Sequence, residues 1–133
     1  WRANADWMVT PKTALGFETY YEPRSVIAVG VSDALVRGVA FGPGWAPTAK
    51  LNFSARVMRE RLDYHGGSFT FSVPGVTPPT LELVRLYRLG AYWEYTRQIH
   101  WQFALEHGER ESNVLGRDYT YNAIIANVRY LFW

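Results

Sequence analysis

The chain contains no cysteine, which excludes disulfide bonds and thiolate metal sites. It also lacks a long apolar run: the best, over residues 26–31, is far shorter than the 18 or so residues of a membrane-spanning helix. Neither charge sign dominates, since 14 basic and 12 acidic residues leave a net charge of +2, which gives no case for a nucleic-acid partner. No metal-ligand spacing, Gly-rich phosphate loop or nucleophile signature is present. We therefore expect no catalytic residues, no cofactor and no metal site.

Aromatic residues are abundant, with 9 Tyr, 7 Phe and 6 Trp making up 17% of the chain. Tyr and Trp have an apolar body and a polar tip, and they suit membrane interfaces. Apolar residues alternate through the final segment from Ile124 to Phe132, with Asn127 and Arg129 on the opposite register. This pattern is typical of the closing strand of an outer-membrane β-barrel. The alternative is a terminal strand of a soluble sandwich.

One motif recurs three times, each time before an alternating stretch. Its copies are Trp7-x-x-Thr10-x-Lys12, Trp45-x-x-Thr48-x-Lys50 and Trp93-x-x-Thr96-x-Gln98. We interpret each copy as the end of a strand marked by Trp, followed by a tight turn around Thr. The spacing between copies fits two long strands, one turn and one longer loop.

The alternation predicts six strands and a possible strand end at 1–8. Arg37 interrupts the apolar register of the second strand, which predicts a bulge or a protein-covered face there, and Gly42-Pro43-Gly44 is a turn or bulge signal. Three longer loops are expected at Glu22–Asp33, Asp63–Glu82 and Ser112–Asp118, and short turns alternating with long loops match the periplasmic and extracellular ends of a barrel. The six predicted strands cover residues 12–22, 33–45, 49–62, 84–95, 98–111 and 119–133.

Each strand separates apolar from polar residues, as a barrel in lipid requires because a charge facing lipid is costly. The predicted lipid-facing residues are Leu51, Phe53, Leu89, Trp93, Trp101, Phe103, Val128, Tyr130 and Phe132. The predicted lumen-lining residues are Asn52, Arg56, Arg88, Tyr92, Glu94, His100, Gln102, Glu106 and Arg129. The alternative for each lumen residue is that it pairs across strands and has no further role.

Six strands fall short of the eight in the smallest bacterial barrels, and an open sheet would leave two unpaired edges in lipid. We therefore predict an all-β, antiparallel up-and-down transmembrane barrel, of which residues 1–133 form the C-terminal part of a single domain. The expected partners are outer-membrane lipid and the missing strands of the barrel or other subunits.

Two segments resemble a known family. They are Arg85-Leu86-Tyr87-Arg88-Leu89-Gly90-Ala91-Tyr92-Trp93-Glu94-Tyr95-Thr96, and the stretch from Ala104 through Arg110-Glu111-Ser112-Asn113 to Asp118-Tyr119-Thr120-Tyr121-Asn122. Together they look like the last hairpin of the β-barrel porin 2 group of outer-membrane proteins, within which the EpsL-like proteins encoded with exopolysaccharide-secretion systems are the nearest likeness. The resemblance implies a bacterial outer-membrane location, polysaccharide as a possible partner, and no catalytic motif.

Three functional hypotheses follow. The first is a porin-like barrel segment that lines a conduit for exopolysaccharide export. The second is a structural barrel that anchors a surface or electron-transfer assembly without transport. The third is an outer-membrane enzyme, which would need a convergent Ser, His and acid set that the sequence does not show.

Overall fold

The computed structural model describes residues 1–28, 31–65, 81–113 and 116–132. These residues form long antiparallel strands, with short turns at residues 11–12, 49–50 and 95–98. The strands are β1 (Arg2–Thr10), β2 (Thr13–Ala28), β3 (Val31–Thr48), β4 (Leu51–His65), β5 (Leu81–Glu94), β6 (Ile99–Ser112) and β7 (Tyr119–Tyr130).

Each strand pairs with its sequence neighbours, in the order β1 to β7, within one sheet. The all-β, antiparallel up-and-down prediction is confirmed, and the sheet is open because β1 and β7 do not pair in the described part of the chain. None of the described structure is a helix long and apolar enough to cross a membrane.

The threefold motif has a common structural basis. In each copy the Thr hydroxyl oxygen accepts a hydrogen bond from the backbone N–H two residues later: Thr10 from Lys12 at 3.2 Å, Thr48 from Lys50 at 3.3 Å, and Thr96 from Gln98 at 3.3 Å. Such a bond satisfies a turn N–H that has no ladder partner. The turns predicted from the motif are therefore confirmed.

The described residues form seven strands rather than six, since the possible strand end at 1–8 is a full strand. The predicted loop at Glu22–Asp33 is wrong, because β2 runs to Ala28 and β3 begins at Val31. Pro23 is accepted in a strand here because no described residue pairs with it on the β1 side, where the N–H that proline lacks would point. The interior of the Asp63–Glu82 loop lies outside the described residues.

Two other local predictions in β3 are also wrong. Arg37 lies in regular register opposite Arg61, and its side chain is 60% exposed, so it is neither in a bulge nor covered. Gly42-Pro43-Gly44 lies inside the strand, with both glycines paired to β2. At the other end of the chain, β7 stops at Tyr130 rather than continuing to residue 133.

The buried residues that the structure describes all lie on one face, which is therefore the face around which the sheet curls. The buried apolar cluster contains Tyr20, Ala34, Val36 and Leu62, which come from β2, β3 and β4 near their long-loop ends. The concave side also carries small residues where strands approach closely. The Tyr20 ring lies directly over Gly38, where an added Cβ would sit 2.2 Å from the ring.

Candidate functional site on the two faces of the sheet

The strand register assigns every described strand residue to one of two faces. The concave face, here called the inner face, carries all nine predicted lumen-lining residues, from Asn52 to Arg129. The opposite, outer face carries eight of the nine predicted lipid-facing residues. The ninth, Phe132, lies past the end of β7, with its ring centroid 4.5 Å from that of Tyr130. The roles in lumen and lipid stay predictions, while the grouping is a property of the sheet.

Charged residues on the inner face pair across strands. The Glu18 carboxylate forms ion pairs with Arg56 at 2.7 Å and with Arg2 at 3.5 Å. Glu106 pairs with Arg88 at 2.8 Å and accepts a hydrogen bond from the Tyr121 hydroxyl at 2.7 Å. The pairing alternative weighed from the sequence thus holds for Arg56, Arg88 and Glu106. Since the arginine side chains are 48% exposed in both pairs, these pairs contribute little to stability.

Toward the turn end, polar groups on the inner face remain open. The Tyr92 hydroxyl and His100 Nδ1 lie 2.9 Å apart, and their rings meet edge to face. The side chains of Asn52, Gln102 and Arg129 make no hydrogen bond or ion pair within the described residues. They border two adjoining grooves of about 440 and 370 Å³. Tyr92 and Gln102 line both grooves. This surface offers amide, guanidinium and aromatic groups to a polar solute.

At the end of the sheet opposite the motif turns, a buried carboxylate, Glu82, lies on the inner face. The Glu82 side chain is fully buried, pairs with Arg110 and with Arg117 at 3.4 Å, and accepts a hydrogen bond from Ser112 at 3.2 Å. Tyr64 also donates to Glu82 and lies one residue from the end of β4, well outside the apolar band described below. Burial, and then the bond to Glu82, raise the pKa of Tyr64 to about 12. The hydroxyl therefore stays protonated and donates throughout the physiological range.

With increasing distance from the turns, the first polar residue on the outer face comes at one position in each strand from β3 to β7, although Leu35 and Leu83 are apolar residues beyond it. In β3 and β4 these positions are Arg37 and Arg59. The cross-strand partner of Arg59 is Val39, so the boundary in β4 lies two residues nearer the turns than the boundary in β3. Arg59 and Arg85 are direct partners, but Arg85 pairs with Glu109, two residues beyond the first polar residue of β6. The boundary residues in strand order are Arg37, Arg59, Arg85, His107 and Asn122.

From this boundary toward the turns, the outer-face residues over the next eight positions are all apolar in each of these strands. The segments run from Arg37 to Trp45, from Arg59 to Leu51, from Arg85 to Trp93, from His107 to Ile99 and from Asn122 to Tyr130. At about 3.3 Å per residue, this apolar band extends roughly 26 Å along each strand. Its turn-side edge, where three of the five residues are aromatic, runs parallel to the polar edge.

Both edges cross the strands obliquely. Each shifts by four residues between β3 and β7, which is one residue for each step to the next strand. A shift of about 3.3 Å along the strand for about 4.8 Å sideways corresponds to a tilt of roughly 35°. Strands of membrane barrels tilt by roughly 35–45°. A band with this tilt is about 22 Å tall, close to the apolar band of about 25 Å that is typical of such barrels.

Several residues that shape these surfaces could not be identified from the sequence pattern. The sequence pattern predicts a loop that ends at Glu82. It gives no signal for Tyr20, because the partner of Tyr20, Glu60, is distant in sequence. The run of small residues on the inner-face register of β3, from Ala34 to Gly44, was the available signal for the concave side. Among the described residues, no group of three or more His, Asp or Glu side chains is arranged to hold a metal ion.

No family model, curated protein or solved structure matches this chain.

Proposed function

We propose that this chain forms part of a bacterial outer-membrane β-barrel, with the outer face against lipid and the inner face lining a conduit. The observation that carries the proposal is the apolar outer face of five strands, whose polar edge crosses them at a tilt of roughly 35°. A soluble sandwich has no reason to hold such an edge oblique to its hydrogen-bonded rows. The open edges at β1 and β7 would pair with the remaining strands of the barrel or with other subunits.

The proposed solute is an exopolysaccharide. Sugars present hydroxyl groups and apolar ring faces, which amide side chains and aromatic rings bind by hydrogen bonding and stacking. Asn52, Tyr92, Gln102 and Arg129 provide these groups on the open part of the inner face. The resemblance to EpsL-like proteins supports the same assignment.

A barrel that anchors an assembly without transport is the second candidate. It is favoured by the buried cluster of Tyr20, Val36, Leu62 and Glu82, which fills the inner face near the long-loop end. Side chains that fill a lumen narrow it and reduce conduction.

The experiment is reconstitution of the full-length protein in planar lipid bilayers. We expect ion conductance that falls when purified exopolysaccharide is added, and Tyr92→Ala should weaken this block. Tyr87→Ala, which removes an aromatic ring from the outer face, is the matched control and should leave the block unchanged. Insertion without conductance would favour the anchoring barrel. A full-length protein that stays in solution without detergent would refute the membrane proposal.

A further inference from the structure

Two pairs of arginines oppose each other on the outer face, just beyond the apolar band. Arg37 is the direct partner of Arg61 across β3 and β4, and Arg59 is the direct partner of Arg85 across β4 and β5. Like charges placed directly opposite each other destabilise a sheet. Anionic groups near these arginines would therefore reduce the repulsion and stabilise the sheet.

The residues that the structure describes neutralise only part of this charge. Arg85 is satisfied by Glu109 at 3.1 Å and Glu111 at 2.9 Å. Asp63 alone serves both Arg61, at 3.1 Å, and Arg37, at 3.9 Å. Within the described part of the chain, Arg59 makes no hydrogen bond and has no carboxylate within ion-pair distance. Two arginines thus share one carboxylate, and Arg59 has none.

These three arginines line one groove of about 370 Å³. Its other walls are apolar and aromatic. Trp1 and Tyr21 stack with their ring centroids 6.5 Å apart, and the Arg37 guanidinium lies 5.1 Å from the Tyr21 ring centre. Val39, the first residue of the apolar band after Arg37 in β3, also lines the groove. The guanidinium groups therefore lie next to the apolar band. The groove-lining residues that matter here are Trp1, Tyr21, Arg37, Val39, Arg59 and Arg61.

We propose that this groove binds a lipid with a phosphate headgroup from the leaflet at the long-loop end. Guanidinium groups bind phosphate oxygens in a bidentate way, and basic pockets beside membrane-spanning segments bind anionic headgroups. A lipid, rather than a free phosphate ion, is the occupant because the groove joins the band where acyl chains would lie. The inference rests on the proposed membrane location.

The test measures lipid binding to the full-length protein in detergent by native mass spectrometry. The probes are dioleoyl phosphatidic acid and dioleoylglycerol, which share acyl chains and differ only in the phosphate. We expect phosphatidic acid to bind at least about tenfold more tightly, because its phosphate oxygens accept hydrogen bonds from the guanidinium groups. The double variant Arg59→Gln/Arg61→Gln should lose most of this preference. Arg97→Gln removes one positive charge in the turn at the opposite end and should retain it.

Three results would overturn the site. They are equal binding of both lipids, an unchanged preference in the double variant, and inorganic phosphate binding as tightly as phosphatidic acid, which would indicate a soluble-anion site. The comparison of lipids on the unmodified protein needs no variant to fold. Bilayer insertion is scored separately, so a protein that inserts but shows no preference refutes this site alone, and one that fails to insert refutes both proposals.

Discussion

At the scale of single residues, the inner face is shaped by glycines that lie beneath aromatic rings. The Tyr20 ring covers Gly38, and the Tyr121 ring covers Gly108. In both cases the glycine is the cross-strand partner of the tyrosine, so the ring lies flat across the strand instead of projecting into the open space. The missing Cβ is therefore what lets each hydroxyl reach its carboxylate, Glu60 for Tyr20 and Glu106 for Tyr121.

Replacing Gly38 with Ala should destabilise the folded protein by about 1–3 kcal/mol, the usual cost of overpacking. The added methyl group would lie 2.2 Å from the Tyr20 ring and push the ring away from Glu60. Urea unfolding of the full-length protein in lipid vesicles measures the change. Gly44→Ala is the control, because the nearest atom to its added Cβ is 4.0 Å away. Equal stability of the two variants would refute this role for the ring.

At the scale of strands and turns, two local features recur. In each turn of the repeated motif a Thr hydroxyl accepts a backbone hydrogen bond, and the strands keep apolar and polar residues on opposite faces. Phe103 lies at the middle of the apolar band in β6, four residues from Ile99 and four from His107. Its chain neighbour Gln102 lies on the inner face beside Asn127.

Thr48→Ala should cost about 0.5–1.5 kcal/mol of stability, because the Lys50 N–H loses its acceptor. Thr48→Ser keeps the hydroxyl and should restore most of the loss. The same urea titration measures both variants. A serine variant no better than the alanine variant would show that the hydroxyl is not what stabilises this turn.

Phe103→Arg should cost about 2–4 kcal/mol, because an arginine there would face lipid near the midplane of the band. Ile99→Arg, at the edge of the band, should cost only about 0–1 kcal/mol. Gln102→Arg should be tolerated, since it faces the inner side. Stability in vesicles and yield of folded protein are the measurements. Similar costs at all three positions would contradict the assignment of the outer face to lipid.

At the scale of the whole molecule, the two ends of the sheet differ. The turns at residues 11–12, 49–50 and 95–98 are short and lie beside the aromatic edge of the band. The charged edge, with its arginines and the buried Glu82 cluster, lies at the other end, toward the connections that follow β4 and β6. This asymmetry gives the proposed barrel a direction, with the short turns in the periplasm and the charged end outside.

Cysteines introduced at opposite ends of one strand pair test this direction. His65→Cys, at the charged end of β4, should react with a membrane-impermeant maleimide in intact cells. Ala49→Cys, in the turn before β4, should react only after the cells are broken. Both positions are exposed, so a difference reports sidedness rather than burial. Labelling of Ala49→Cys alone in intact cells would reverse the orientation.

The sequence by itself determined the strand type, the turns of the repeated motif and the two faces, because alternation and turn chemistry are local properties. Asn52 and Phe53 could be assigned to opposite faces from their neighbours alone. The concave side, the true length of β2, the buried position of Glu82 and the tilt of the apolar band were decided only by the tertiary structure. Each depends on register, which sets residues far apart in sequence opposite one another, as Arg59 and Arg85 are. A period-two pattern is unchanged when one strand slides past the next by two residues, so it carries no information about that register.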